Sequence, residues 1–359
     1  MTARDRFACG IDTLRTPPLL APVAGVMPSV VLSVSRRLLG ALGWAGLLLA
    51  AVGCGAGQST LTVPVSSWPG YEYFPLAKAR GLDGRHGLSL NLKTYTNPQD
   101  IVHAYLRGEL KLAQLTTVEA VDLCYRVPKR CPVVVLVLDE SRGADQVVVN
   151  RSLGSIAQLR AKPVAITPST LGPFVLSRAL ARHGLSLNDV ELRPMPLEAM
   201  PKALAQGEVA AAALFPPFSD QAVATGKVRP LFTSSEIPGQ IFDILVVDPE
   251  FLAAHRPAVT RLLRVWQAAH QDADANPDSA IATMARREGV TDQAFRESLQ
   301  GLVFLSLADQ EPLFAAGGIL HSNLRTVRDV QAQLGLLPTT APLPPVDGTV
   351  IRQALDRQP

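Results

Sequence analysis

Carboxylates, hydroxyls and aromatic rings recur where apolar runs end, and these are the side chains whose types and spacing could do chemistry. "TPSTLGPFVLSRAL" sets Ser169 and Thr170 just ahead of a helical pattern. Either hydroxyl can cap that helix, and the free backbone N–H groups and the helix dipole then favour an anion in front of it. The same residues also read as an ordinary N-cap. Thr116 and Thr117, before "VEAVDLCYR", form a second cap of this kind. "LDESRGADQVVVN" is opposite in character, with Asp139, Glu140 and Asp145 following a wholly apolar run. That cluster can hold a cationic group, or Asp139 can accept backbone N–H bonds from the Ser141 to Gly143 turn. Asp243 in "QIFDILVV" is a carboxylate inside an apolar strand, either on the solvent face of an edge or at a hinge facing a cleft.

The aromatic candidates are fewer. "SSWPGYEYF" ends a strand at a Trp-Pro-Gly turn and is expected to leave Trp68 exposed there, with Tyr71 nearby. Phe215 and Phe218 bracket Pro216-Pro217 and can stack on a ligand or fill core. Signatures of catalysis are missing: there is no G-x-S-x-G elbow, no G-x-x-x-x-G-K-[ST] loop and no H-E-x-x-H pair. The six histidines are scattered, and Cys/His spacings for a metal do not occur. The chain therefore reads as a non-enzyme with no catalytic residue, no cofactor and no metal.

The elements that must position these residues alternate. Strand-like runs are "LTVPV", "LSLNLKTY", "LKLAQLT", "PVVVLVL", "QVVVN", "PVAIT", "VELRPM", "VAAAALF" and "FDILVV", with helical patterns such as "PQDIVHAYLRGE" and "LEAMPKALAQGE" between them. Such alternation implies an α/β protein with parallel sheet built from βαβ units. From Pro249 to about Leu334 the pattern becomes helical. Residues 104–116, "AYLRGELKLAQLT", echo residues 203–215, "ALAQGEVAAAALF", at a constant offset of 99. In each copy a helix ends at glycine and a buried strand is expected two residues later. Read as a repeat, the echo makes two related lobes whose strand ends, Thr116-Thr117 and Phe215-Pro216, are equivalent; chance similarity of two αβ units is the alternative. Open α/β sheets bind ligands beyond the carboxyl ends of their strands, so two facing lobes would share a cleft.

Charge and leader bound the rest. The net charge of +3 lies before Cys54, where five arginines meet two aspartates, leaving 29 basic and 29 acidic side chains after it. Net charge thus gives no support for a nucleic-acid partner. "SRRLLGALGWAGLLLAAVGC" sets two arginines before 16 uncharged residues, Leu38 to Gly53, which is short of the ~20 a spanning helix needs and fits an export signal. Its end resembles a lipobox, which makes Cys54 the expected lipidated residue. Export by the general or the twin-arginine route both fit. Residues 1–26 are a doubtful extension with Met27 a plausible start, 27–53 the signal and 54–60 a tether. Cys124 and Cys131 can pair as a disulfide in an oxidising compartment or stay free.

The ordered series "WPGYEYFPLAKARGL", "LRGELKLAQLT", "DESRGADQVVV", "SIAQLRAKPVAITPST", "FPPF", "SSEIPGQIFDILVVDPEFL" and "RLLRVWQAA" resembles the substrate-binding proteins of nitrate/sulfonate/taurine-type ABC importers, over about residues 60–335. These share the type II periplasmic binding fold with the thiamine-pyrimidine-synthase-like proteins. The resemblance implies two lobes, each a mixed or parallel sheet with flanking helices, joined by a two-strand hinge. Lobe one would be 61–145 plus 241–335, lobe two 146–240, and 336–359 a C-terminal tail. It places Trp68 to Tyr71 on the first cleft loop, Thr116-Thr117 after the third strand, Ser169-Thr170 at an anion-binding helix start, and "FPPF" on the family's Trp-Glu-Pro-Phe motif. Phe215 replaces that tryptophan and Pro216 that glutamate. The implied function is capture of a small organic molecule or oxyanion between lobes and delivery to an ABC permease, by a monomer lipid-anchored in the periplasm or at the cell surface. An exported ligand sensor of the same fold is the alternative. The pyrimidine synthases, which carry a C-C-C-F-C motif absent here, are the remaining one.

Overall fold

Runs of β-branched and leucine side chains set the strands. The computed structural model describes residues 58–356, so the leader and Cys54 lie outside the described residues. The strands are β1 (Ser59–Val65), β2 (Leu88–Thr94), β3 (Leu112–Thr116), β4 (Val133–Ser141), β5 (Gln146–Asn150), β6 (Pro163–Ile166), β7 (Glu191–Pro194), β8 (Ala211–Leu214), β9 (Val228–Thr233), β10 (Phe242–Val247) and β11 (Leu302–Val303). β4 and β10 are buried at every position, which a strand sustains only with both faces covered. They lie inside a sheet of order β11-β4-β10-β3. β3 is covered in turn by β1, since Gln114 Nε2 donates to the Pro64 carbonyl at 2.8 Å, and β1 pairs in parallel with β2. The second sheet has the order β7-β6-β8-β5-β9, with the buried β8 inside and the partly exposed β7 and β9 at its edges.

The chain thus changes sheet between β4 and β5 and again between β9 and β10, giving the two-lobed α/β fold read from the sequence. The expectation of parallel sheet holds for β1–β2, β6–β7 and β6–β8 only. β5 and β10, the strands that enter after each crossing, run antiparallel to their neighbours, so both larger sheets are mixed or antiparallel. The crossings are tied together. Ser141 and Ser234 share a hydroxyl hydrogen bond at 2.9 Å, and Ser234 Oγ accepts from Gly143 N at 2.6 Å.

The two echoed segments are built alike. Helices Pro98–Leu106 and Met200–Gln206 end at Gly108 and Gly207, both left-handed with φ of 81° and 75°. In each copy the amide directly after the glycine returns to the equivalent carbonyl, Glu109 N to Ala104 O and Glu208 N to Ala203 O, both 3.0 Å. The strands begin four residues after the glycines rather than two, at Leu112 and Ala211.

Helices cover both sheets. Pro249–Ala275 buries Trp266 against the first lobe, and Thr349–Leu355 buries Val350 and Ile351 in the same core, so residues beyond 336 return to that lobe. Helix Ile319–Gln333 packs on helix Thr117–Arg126, with Gln331 Nε2 donating to the Val118 carbonyl at 2.6 Å. Its Leu324 and Val327 share a core with Phe174 and Val175 of the second lobe, so this helix bridges the lobes beside the crossings. Cys124 and Cys131 are joined, closing a short loop at the end of helix Thr117–Arg126. The structure thus has the bonded one of the two arrangements open to these thiols. Closing so small a loop constrains the unfolded chain by on the order of 2 kcal/mol. We predict that a paired Cys124→Ser, Cys131→Ser variant loses about that much unfolding free energy in urea titration; an unchanged midpoint would contradict it.

Candidate functional site

The loop after β1 is held from below and faces the first sheet. Arg287, 215 residues distant, donates to the Ser66 carbonyl and to both carboxylate oxygens of the fully buried Glu72. Pinned this way, the loop turns its aromatic side chains inward. Trp68 is only 5% exposed, so the expected exposed ring is in fact covered. Its indole Nε1–H donates to Asp139 Oδ2 at 3.1 Å, and the Tyr71 hydroxyl donates to Asp243 Oδ1 at 2.5 Å. Gly70 makes this approach feasible, because a Cβ there would lie 1.8 Å from Asp139 Oδ2. Across the cleft, Phe215 at the end of β8 meets Trp68 edge-on at 5.5 Å between ring centres.

Strand register collects the carboxyl groups. Asp243 on β10 stands directly opposite Asp139 on β4 and Thr116 on β3. Like charges opposite one another in a ladder are unfavourable. Both sites are buried, which excludes the solvent-edge reading of Asp243; Asp139 takes its hydrogen bond from Trp68 rather than from the 141–143 turn. Asp145 enters from the first crossing. Glu119 enters from helix Thr117–Arg126 through a reciprocal cap, with Glu119 Oε2 accepting from Thr116 N at 3.0 Å and Thr116 Oγ1 donating to the same oxygen at 3.2 Å.

The three aspartates are poorly compensated. Asp139 Oδ1, Asp145 Oδ2 and Asp243 Oδ2 are buried without a hydrogen-bond partner. Burial pushes the Asp139 carboxyl up to about 8, against the hydrogen bond from Trp68 and with the Asp145 charge adding to the rise. Burial likewise pushes Glu119 up to about 7 and Asp145 to about 6. Asp243 is raised well above the usual carboxylate range by burial and by the facing Asp139.

Together these elements enclose a narrow cavity of about 90 Å³. Trp68, Tyr71, Thr116 and Asp243 line it from the first lobe, and Ser169 and Phe215 from the second. The remaining candidates stand back from the wall. Asp139 lies behind the Trp68 indole, Thr117 Oγ1 is buried without a partner, and Phe218 packs on Phe215 at 6.2 Å. Thr170 is at the cap position of helix Leu171–Ala181 in helical conformation, with no side-chain cap, and the Ser169 hydroxyl pairs with Thr167 Oγ1 at 2.7 Å. The expected hydroxyl cap on this helix is therefore not formed, because backbone already turned helical at Thr170 points its side chain away from the free amides. Wall residues not singled out in the sequence include Glu119, Asn97 and Leu197. Of these, Glu119 had a signal in the Thr-x-x-Glu spacing.

A family model described as the NMT1-like family matches residues 55–287. The chain belongs to the NMT1-like family. A protein of Brucella abortus strain 2308 named as a binding protein is 23% identical over 225 residues, covering 62% of this chain and 69% of its own. Among solved structures, the periplasmic aliphatic sulphonate binding protein SsuA of Escherichia coli superposes with a TM-score of 0.66 at 17% identity, over 82% of this chain and 91% of that one. The periplasmic nitrate-binding protein NrtA of Synechocystis PCC 6803 gives 0.67 at 13% identity, over 83% and 88%. The desulfurization enzyme DSZB gives 0.61 at 17% identity, over 83% and 99%. At such identities the likeness shows the fold, shared here by binding proteins and an enzyme. Two of these structures are of the sulfonate- and nitrate-binding group whose motifs the sequence resembles.

The raised carboxyl groups imply a stability that falls with pH. A carboxyl whose folded pKa is raised stabilises the fold fully below its unfolded value near 4, and that contribution is lost as pH rises through the folded value. With values of about 6 to 8, the loss falls between pH 4 and 8. We predict that the ligand-free protein loses on the order of 2 kcal/mol or more of unfolding free energy between pH 5 and pH 8, and that Asp243→Asn flattens the profile. Urea titrations across that range check it, and a profile that rises with pH would contradict it.

Proposed function

We propose that this chain is an extracytoplasmic solute-binding lipoprotein, tethered through lipidated Cys54, that captures a small molecule between its lobes and presents it to an ABC permease. The observation that carries the reading is a cavity walled by both lobes at the crossings, two of whose wall residues, Asp145 and Asp243, keep a buried carboxylate oxygen without a partner. A solute seated there touches Trp68 and Asp243 on one side and Phe215 and Ser169 on the other, so its binding favours the closed arrangement of the lobes. The named binding function of the Brucella relative and of two structural neighbours supports the same reading. No bond need be made or broken.

Trp68 reports the event. Screening sulfonates, nitrate, amines and pyrimidines by thermal shift is expected to find a compound that raises the unfolding transition and changes Trp68 fluorescence. For that compound, Trp68→Ala is expected to weaken binding by roughly tenfold or more, the range of a buried aromatic anchor. Undiminished affinity in the variant, or no shift with any compound at saturating concentration, would overturn the assignment.

A further inference from the structure

One end of the cleft is acidic, and no cationic side chain lines the cavity to balance it. Asp145 and Asp243 are each 2% exposed, both line the cavity, and each keeps its Oδ2 without a hydrogen-bond partner. Glu119 lines the same end, and Asp139 stands directly across the strand pair from Asp243. Among the described residues no lysine, arginine or histidine lines the cavity. Buried carboxylates left this way cost several kcal/mol unless a proton, a metal ion or a cation neutralises them.

The three remedies can be separated. Protons are what the empty protein can use. For a metal ion the geometry is wrong, since among the described residues no three His, Cys, Asp or Glu side chains are grouped to hold one. That leaves a cation brought by the solute. The unpartnered atoms are acceptors, so positive charge alone does not satisfy them; N–H donors are required, which a quaternary ammonium lacks. A primary ammonium or an amidinium offers at least two, and charge-assisted bonds to carboxylate are the stronger kind. Elsewhere the wall is neutral and largely apolar, with Trp68, Phe215, Leu171, Leu197 and Pro98. The Ser169 hydroxyl at the far lobe is already paired with Thr167, so it is a weak seat for an oxyanion.

We propose that the solute is a small organic cation with at least two N–H donors, a primary amine or an amidine on a compact apolar body, whose charged head sits between Asp145 and Asp243. This rests on the solute-binding reading and narrows its ligand class.

The test is a calorimetric and thermal-shift panel on the mature chain at pH 7.5. Its arms are primary alkylamines of two to eight carbons with benzamidine, tetramethylammonium, and methanesulfonate with taurine and nitrate. The expected result is binding by an amine or amidine, none by tetramethylammonium or the anions, and at least tenfold weaker binding of that compound by Asp145→Asn and Asp243→Asn. Both variants are expected to unfold at or above the wild-type temperature without ligand, so weaker binding is not a folding defect. Binding of methanesulfonate, taurine or nitrate with no response to any amine or amidine would overturn the cation inference and leave the solute-binding reading standing. Equal binding of tetramethylammonium would overturn the N–H requirement, and silence from every amine and amidine would overturn the inference outright.

Discussion

Four carboxyl groups buried in one place without a cation are the constraint on which the rest of the site depends. Their position is fixed by sheet register, because β10 lies between β4 and β3 and so places Asp243 beside Asp139 and Thr116. Indole and phenol donors from the Trp68–Tyr71 loop satisfy one oxygen of each aspartate of that pair. They leave the other oxygens open. A protein that existed only to be stable would not keep such a cluster, since apolar residues of similar volume are usually no worse and often better. Its retention in a cleft is what a binding role explains.

The same register sets the cluster beside the joint between the lobes. Asp145 belongs to the first crossing between the sheets, and Ser141 and Ser234 bind the two crossings together. Whatever neutralises Asp145 and Asp243 therefore acts where the lobes join. Trp68 and Phe215 meet across the cleft in this same arrangement of the lobes. Arg287 and Glu72 have a positioning role, holding the loop so that Gly70 can pass against Asp139.

Much of this was legible in the sequence where the signal was local. Trp68, Thr116, Asp139 and Phe215 stand out because each follows or ends an apolar run, and the 99-residue echo anticipates two helix ends built on the same glycine turn. What could not be read was long-range. Pairing of Asp139 with Asp243 depends on a strand inserted from a hundred residues away, and Arg287 reaches the loop from a helix far along the chain. β9 carries no clear strand signal because "VRPLFT" contains a proline and is only partly buried, as an edge strand tolerates. The Trp68 ring looked exposed because its burial comes from the opposite lobe and from Asp139, neither of which is near in sequence. At Ser169-Thr170 the composition suggested a cap, while the backbone conformation at Thr170 decided otherwise.

The proposal above requires that protons hold the empty cleft neutral until a cation replaces them. Carbon-13 NMR titration of the aspartate and glutamate carboxyl carbons in the ligand-free mature protein measures this directly. The Asp139–Asp243 pair is expected still to hold a proton at pH 7, with Asp139 titrating at about 8 and Glu119 at about 7. All four carboxyl groups titrating near pH 4, as ordinary surface acids do, would contradict it.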